Sequence, residues 1–177
     1  MSDGYVCPEC GLDYDSIQPG DAAVAIRSFP RRYREALSAA RTSAGGDDVV
    51  RERPEPATWS ALEYTAHVAD LFGVFSHIVD RMYAEEKPTL EMPDPDDRAA
   101  VANYNAKDPD ATLQELDAAA AKLAADVERL DHEAWHRTAT FPWGERDILT
   151  MVRNAVHEGS HHLRDINRGL AAVGAGR

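Results

Sequence analysis

The chain has 177 residues, a net charge of −12 and 44% hydrophobic residues. That length supports one domain with a real core and falls short of two full ones. An acidic chain lacks the basic footprint that displaces counterions from phosphates, which argues against nucleic acid as a partner. The nearest basic stretch, Arg27 to Arg34, is followed at once by Glu35.

No apolar run approaches the roughly 18 residues that a membrane helix needs. Met1-Ser2-Asp3-Gly4-Tyr5 has no basic segment leading into an apolar one, so a cytoplasmic location with no membrane partner is expected.

Residues 1–19 read as a separate arm carrying Cys7-Pro8-Glu9-Cys10-Gly11. A Cys-x-x-Cys followed by Gly has the shape of a zinc knuckle, in which a tight turn aims two thiolates at one metal. These are the only cysteines, so a four-ligand site must borrow histidine or acid from elsewhere or from another chain. A redox dithiol and an inert relic of a zinc ribbon remain open alternatives, although the βαβ context of a thioredoxin is missing.

Residues 20–177 read as a helical bundle. A short helix is expected over Asp21–Ile26, and a long one from Ser28-Phe29-Pro30 to about Arg41, because proline is accommodated in a first turn. A loop follows through Gly45-Gly46 and Pro54-Glu55-Pro56. The second long helix has the clearest start: Ser60 and Glu63 form a capping box, and Trp59 and Tyr64 a hydrophobic staple. Tyr64, Val68, Leu71, Phe72, Phe75, Ile78, Val79 and Met82 then recur at helical spacing on one apolar face. His67 flanks that face, and His77 lies on the polar side.

A Pro- and Asp-rich crossover, Pro88 to Asp96, precedes a short helix over Arg98–Tyr104. Thr112 and Glu115 form a second capping box, which opens a third helix through Leu116, Leu123, Val127 and Leu130. Trp135 to Gly144 is read as extended or turn. A fourth helix is expected from about Glu145 to Val173, acidic early and basic late as the macrodipole prefers. Four amphipathic segments with almost nothing strand-like between them predict an all-α, antiparallel four-helix bundle.

The chemistry concentrates in His157-Glu158-Gly159-Ser160-His161-His162 on the fourth helix. His157 and His161, one turn apart, can reach one metal ion, and His67 is the best third ligand. Yet the apolar stripe of this helix is Ile148, Met151, Val152, Ala155, Leu163 and Ile166, with Gly159 and His162 among them. His157 and His161 fall on the opposite side, so they either line a polar cavity or face water. A lone His67 would as readily be a satisfied core histidine. His157-Glu158-x-x-His161 also matches the zincin pattern, with Glu158 as general base of a hydrolase. No glutamate ligand and no further histidine follow at the spacing that zincins require, which leaves this a distant third reading.

Trp59-Ser60-x-x-Glu63-Tyr64-x-x-His67, and His157-x-x-x-His161 followed by Asp165-Ile166, resemble the DinB/YfiT-like superfamily over roughly residues 28–170. The resemblance implies a four-helix bundle, often dimeric, with a three-histidine divalent-metal site, usually zinc or nickel. Carried over by position, the ligands are His67, His157 and His161. Similar families with assigned activities are thiol-dependent S-transferases and isomerases. The implied function is therefore a metal-dependent transferase that activates a low-molecular-weight thiol such as mycothiol towards an electrophilic substrate. The Cys7/Cys10 arm is not part of the general family pattern.

Three histidines leave a fourth coordination position open, as in catalytic sites. Asp70 and Asp165, each one turn from a histidine, are candidate carboxylates to orient the imidazoles. Glu158 is a candidate general base. Arg153 and Arg164 either recognise an acidic cofactor or substrate or are ordinary surface charge. The competing class is a non-catalytic metal-binding or stress-response protein, in which Cys7 and Cys10 close the site or dock a partner.

Overall fold

The computed structural model describes residues 4–92 and 94–175. Met1–Asp3 of the leader reading and Pro93 of the crossover lie outside the described residues. The bundle consists of α1 (Pro19–Ala44), α3 (Ala61–Ala84), α5 (Pro109–Glu128) and α6 (Ile148–Ala175). Two short helices, α2 (Asp48–Arg51) and α4 (Pro95–Ala102), lie in the connections. Two strands, β1 (Thr138–Phe141) and β2 (Gly144–Asp147), form an antiparallel hairpin before α6.

Both α1 and α3 pack on α5 and on α6, so α1 and α3 face each other across the bundle's diagonal. The ion pairs Arg27–Glu128, Arg34–Asp117 and Arg41–Asp110 descend one helix as they climb the other, so α1 and α5 are antiparallel. Tyr64 meets His162 and His67 meets Glu158, the antiparallel sense for α3 and α6. Ile17, just before α1, meets Arg153, and Tyr33 meets Gly159, so α1 and α6 run parallel. The core between the four helices is filled by Ile26, Phe29, Tyr33, Leu37, Phe72, Phe75, Met82, Leu116, Leu123 and Ile148.

The capping box of Ser60 and Glu63 is present, and the rings of Trp59 and Tyr64 stand 5.5 Å apart as the staple requires. Three expected helix starts move. The first helix is continuous from Pro19, which takes the N-terminal proline position, and Pro30 is buried inside the helix. The α5 N-cap is Asp108, whose carboxylate accepts the Ala111 N–H at 2.8 Å, with Pro109 following. Thr112 bonds back to the Asp108 carbonyl instead, and Glu115 pairs with Lys107. Glu145 and Asp147 belong to β2; Asp147 accepts the Thr150 N–H at 2.8 Å and so starts α6. For α1 and α5 a Pro or Asp a few residues upstream is the stronger start signal, and for α6 it is an Asp two residues downstream of Glu145.

Candidate metal centre

Ahead of α1 the arm folds back on itself. Val6 bridges Asp13, the Cys7 N–H donates to the Leu12 carbonyl at 2.9 Å, and the Gly11 N–H donates to the Cys7 carbonyl at 2.8 Å. Gly11 has φ +76°, the left-handed conformation that lets the turn close after Cys10. Tyr14 and Ile17 are buried, and Arg153 of α6 donates to the Ile17 carbonyl and pairs with Asp15. The arm is thereby seated on the face of α6 opposite its apolar stripe. That is why His157, expected to face either a polar cavity or water, is only 9% exposed.

The six-residue stretch on α6 serves two groups, because neighbours on a helix point about 100° apart. His157 and His161 face the arm and gather with Cys7 and Cys10; all four donor atoms lie within 4.8 Å of one another. Glu158 and His162 face α3 and gather with His67 within the same limit. The structure does not bring His67, His157 and His161 to one point. It separates them, and puts Glu158 and His162 beside His67.

Around His67 the surroundings are aromatic: Trp59 lies edge-on at 5.1 Å, His162 edge-on at 5.0 Å, and Tyr64 stacks on His162 at 5.1 Å. Burial, then the positive charge of His162, pushes His67 down to about 4, so its imidazole is neutral at pH 7. Burial alone would lower His162, but the Asp165 and Glu158 carboxylates outweigh it and push the ring up to about 9. Burial would raise Glu158, but His157 and His162 outweigh that and hold it well below the usual carboxylate range.

Glu158 Oε2 stands 3.1 Å from His162 Nε2. Two donors each about 2.0 Å from a tetrahedral zinc stand roughly 3.3 Å apart. The spacing therefore suits a shared ion as well as a shared proton. The placement puts the Glu158 carboxylate beside two imidazoles.

The second nitrogen of His162, Nδ1, lies 3.1 Å from Asp165 Oδ2. The same oxygen is 3.5 Å from His161 Nε2, so one carboxylate touches a histidine of each group. Asp70 does not orient His67: it accepts from Arg98 Nε at 2.5 Å and from the Tyr104 hydroxyl at 2.6 Å. His67, Asp70, Leu71, Val74, Met92, Arg98 and Glu158 line a cavity of about 170 Å³ beside the donors.

On the arm side, Cys7 Sγ stands 3.7 Å from His161 Nδ1. Burial alone would raise the Cys7 thiol, but the backbone N–H groups of Cys10 and Glu9 and the two imidazoles bring it down to about 6. Burial pushes Cys10 up. Arg153 is committed to holding the arm. Arg164 is exposed and lines a shallow groove with Arg32 and Arg168, apart from both groups.

Sequence reasoning did not group His162 with His67, and the signal was there. Glu158-x-x-x-His162 is a one-turn pair like His157-x-x-x-His161, and His162 falls in the stripe that faces the other helices.

Among the described residues no helix is long and apolar enough to cross a membrane. No curated protein matches the chain. The solved structure of YfiT from Bacillus subtilis, described as a probable metal-dependent hydrolase with an unusual four-helix bundle topology, superposes with a TM-score of 0.78. That match covers 89% of this chain and 88% of that one at 16% identity, a likeness of fold. A model of the DinB superfamily matches residues 25–166. With most of the bundle and the histidine-bearing turns of α3 and α6 inside that span, the chain belongs to the DinB superfamily.

Proposed function

We propose that the chain is a divalent-metal-dependent enzyme that holds its ion, zinc or nickel, with His67, Glu158 and His162. The observation that carries this reading is a donor set of two imidazoles and one carboxylate, His67 buried and the other two half-buried, opening onto a cavity instead of being closed by a fourth side chain. The donors fit such an ion: His67 is neutral and has no hydrogen-bond partner among the described residues, and Asp165 orients His162 from its far nitrogen. When bound, the ion supplies Lewis acidity, which keeps a thiol ionised or brings the pKa of water towards neutrality.

The nucleophile we favour is a low-molecular-weight thiol of the mycothiol type, transferred to an electrophilic carbon. Leu71, Val74 and Met92 wall the cavity with apolar surface, which suits a sulfur and its methylene and keeps bulk water away. Sulfur forms the new bond to carbon as the bond from that carbon to its leaving group breaks, the electron pair going with the leaving group, and the thiol proton passes to solvent or to that group. Arg98, braced by Asp70, lies at the cavity wall, where it can meet a polar part of either substrate.

A hydrolase is the second reading, favoured by the donor set itself, since two imidazoles and a carboxylate are also the ligands with which zinc ionises water. Protein loaded with zinc or nickel is offered a chromogenic electrophile with and without thiol, and separately an activated ester. Thiol-dependent product, lost in His67→Ala, supports transfer. Ester cleavage without a thiol requirement replaces it with hydrolysis. Bound metal with neither activity leaves a non-catalytic metal-binding protein.

A further inference from the structure

The arm is the part of the molecule that this function does not use. Its two cysteines come together with two histidines about 150 residues away, the Cys7–His161 pair being separated by 154 positions. Nothing in the bundle's packing requires Cys-x-x-Cys at that point, since Tyr14, Ile17 and the Arg153 contacts already seat the arm. We propose that Cys7, Cys10, His157 and His161 form a closed, four-ligand structural zinc site, distinct from the open site, that locks the arm onto α6.

Three observations support the assignment. The donor set is complete: two thiols and two imidazoles within 4.8 Å of one another are the full complement of a tetrahedral structural zinc. The one sulfur–nitrogen spacing available, 3.7 Å from Cys7 to His161, is close to the roughly 3.5 Å between donors at about 2.3 and 2.0 Å from a tetrahedral zinc. Most pointedly, His157 is nine-tenths buried, and among the described residues neither ring nitrogen has a partner of hydrogen-bond geometry; Glu158 Oε1 is 3.4 Å from Nδ1. A buried imidazole with both nitrogens unsatisfied is costly unless something absent from the protein atoms meets it.

The wider surroundings fit as well. With Nδ1 turned to the cysteines, His161 presents Nε2 to Glu9 and Asp165 at 3.5 Å each, the carboxylate support usual for a metal-bound histidine. The turn after Cys10, closed by Gly11 and by the Cys7–Leu12 bond, holds the two thiols on one side of a short hairpin.

The geometry also gives this site a consequence. Its histidines alternate along α6 with Glu158 and His162, and Asp165 Oδ2 reaches a histidine of each group. An ion that fixes His157 and His161 holds the same helical turn that presents the other two donors to His67. The arm site is therefore a positioning device for the open site.

Cobalt(II) titrated into metal-free, fully reduced wild-type protein tests the assignment without relying on activity. The proposal predicts two ions per chain, one of them giving tetrahedral d–d bands and sulfur-to-cobalt charge transfer. It predicts that Cys7→Ser/Cys10→Ser loses the charge-transfer band and one ion and keeps the other, whereas His67→Ala keeps the band. If the open-site reading alone fails, one ion with the sulfur signature remains. Cobalt binding without sulfur character, or a Cys7–Cys10 disulfide that persists in reducing buffer with zinc present, overturns the proposal. So does unchanged metal content in the double-serine chain. Limited proteolysis of the wild type gives an independent reading that needs no variant to fold. Cleavage within residues 4–18 should slow at least tenfold on adding zinc, and an unchanged rate would show that no ion locks the arm.

Discussion

Gly159 lies between the donors of both groups, and a single methyl there tests how closely α1 and α6 approach. A Cβ at this position would stand 2.6, 2.7 and 2.8 Å from three atoms of the Phe29 ring. Phe29 is fully buried between Tyr33 and Phe72, so the ring has nowhere to go. Overpacking of this kind costs roughly 1–3 kcal/mol, and three contacts below 3 Å place it at the upper end. If α6 backs away, the Tyr33 hydroxyl also loses its 2.9 Å bond to the Gly159 carbonyl, worth about 1 kcal/mol. Replacing a helical glycine by alanine returns about 1 kcal/mol. The net for Gly159→Ala is a loss of about 2–3 kcal/mol, or ~4–12 °C in Tm at about 2–4 °C per kcal/mol for a chain of this size.

Gly73→Ala is the internal control. It is the same substitution in an exposed turn of α3, with nothing within 4 Å of the new methyl, and should raise Tm by ~1–4 °C. Both variants are melted in chelator, so that metal linkage does not enter. If Gly159→Ala melts as high as Gly73→Ala, the packing of Phe29 against α6 described above is wrong.

Three further outcomes follow from the geometry. Burial opposes ionisation of Glu63, but Arg53 and the Ser60 N–H outweigh it and hold the carboxyl below its ordinary value. The stability this contributes is present above the unfolded pKa of about 4.3 and is lost as pH falls through the folded value. Glu63→Gln should cost about 1–2 kcal/mol at pH 7 and flatten the fall in Tm below about pH 4; an unchanged acid limb would refute the pairing. Asp165→Asn should weaken metal binding at the His67 group by ~10–100-fold in competition titrations, and unaltered affinity would remove its orienting role. Val74→Phe fills the 170 Å³ cavity, so metal content should hold while thiol-induced shifts in Tm and turnover disappear. Full turnover would move the substrate elsewhere.

The bundle was legible because amphipathic periodicity is local: Val68, Phe72, Phe75, Ile78, Val79 and Met82 all lie on the buried face that their spacing predicts. The chemistry was legible as residue types but not as pairings. The helical wheel correctly put His157 and His161 away from the apolar stripe of α6, yet the segment that buries them lies about 150 residues upstream, beyond any local pattern. For the same reason Cys7 and Cys10 read as half a site seeking partners, and the histidines that stand beside them were assigned to His67. Pro30 misled in a different way. A proline inside a helix is costly, and only its burial in the assembled core shows why α1 passes through it. The extended or turn reading of Trp135–Gly144 covers β1, whereas Glu145-Arg146-Asp147 of β2 carries the charges of a helix start and reads as one.

Adjacent residues offer the most direct test of the central claim that α6 serves two metal groups from alternating positions. Metal per chain, measured by mass spectrometry on wild type, His161→Ala and His162→Ala after zinc loading and desalting, separates them. The account predicts two ions in the wild type and one in each variant. In cobalt-loaded samples the sulfur charge-transfer band should be lost from His161→Ala and kept in His162→Ala. Loss of the same ion from both variants, or a wild type that holds a single ion sensitive to Cys7, His67 and His157 alike, would mean one shared site and would contradict it.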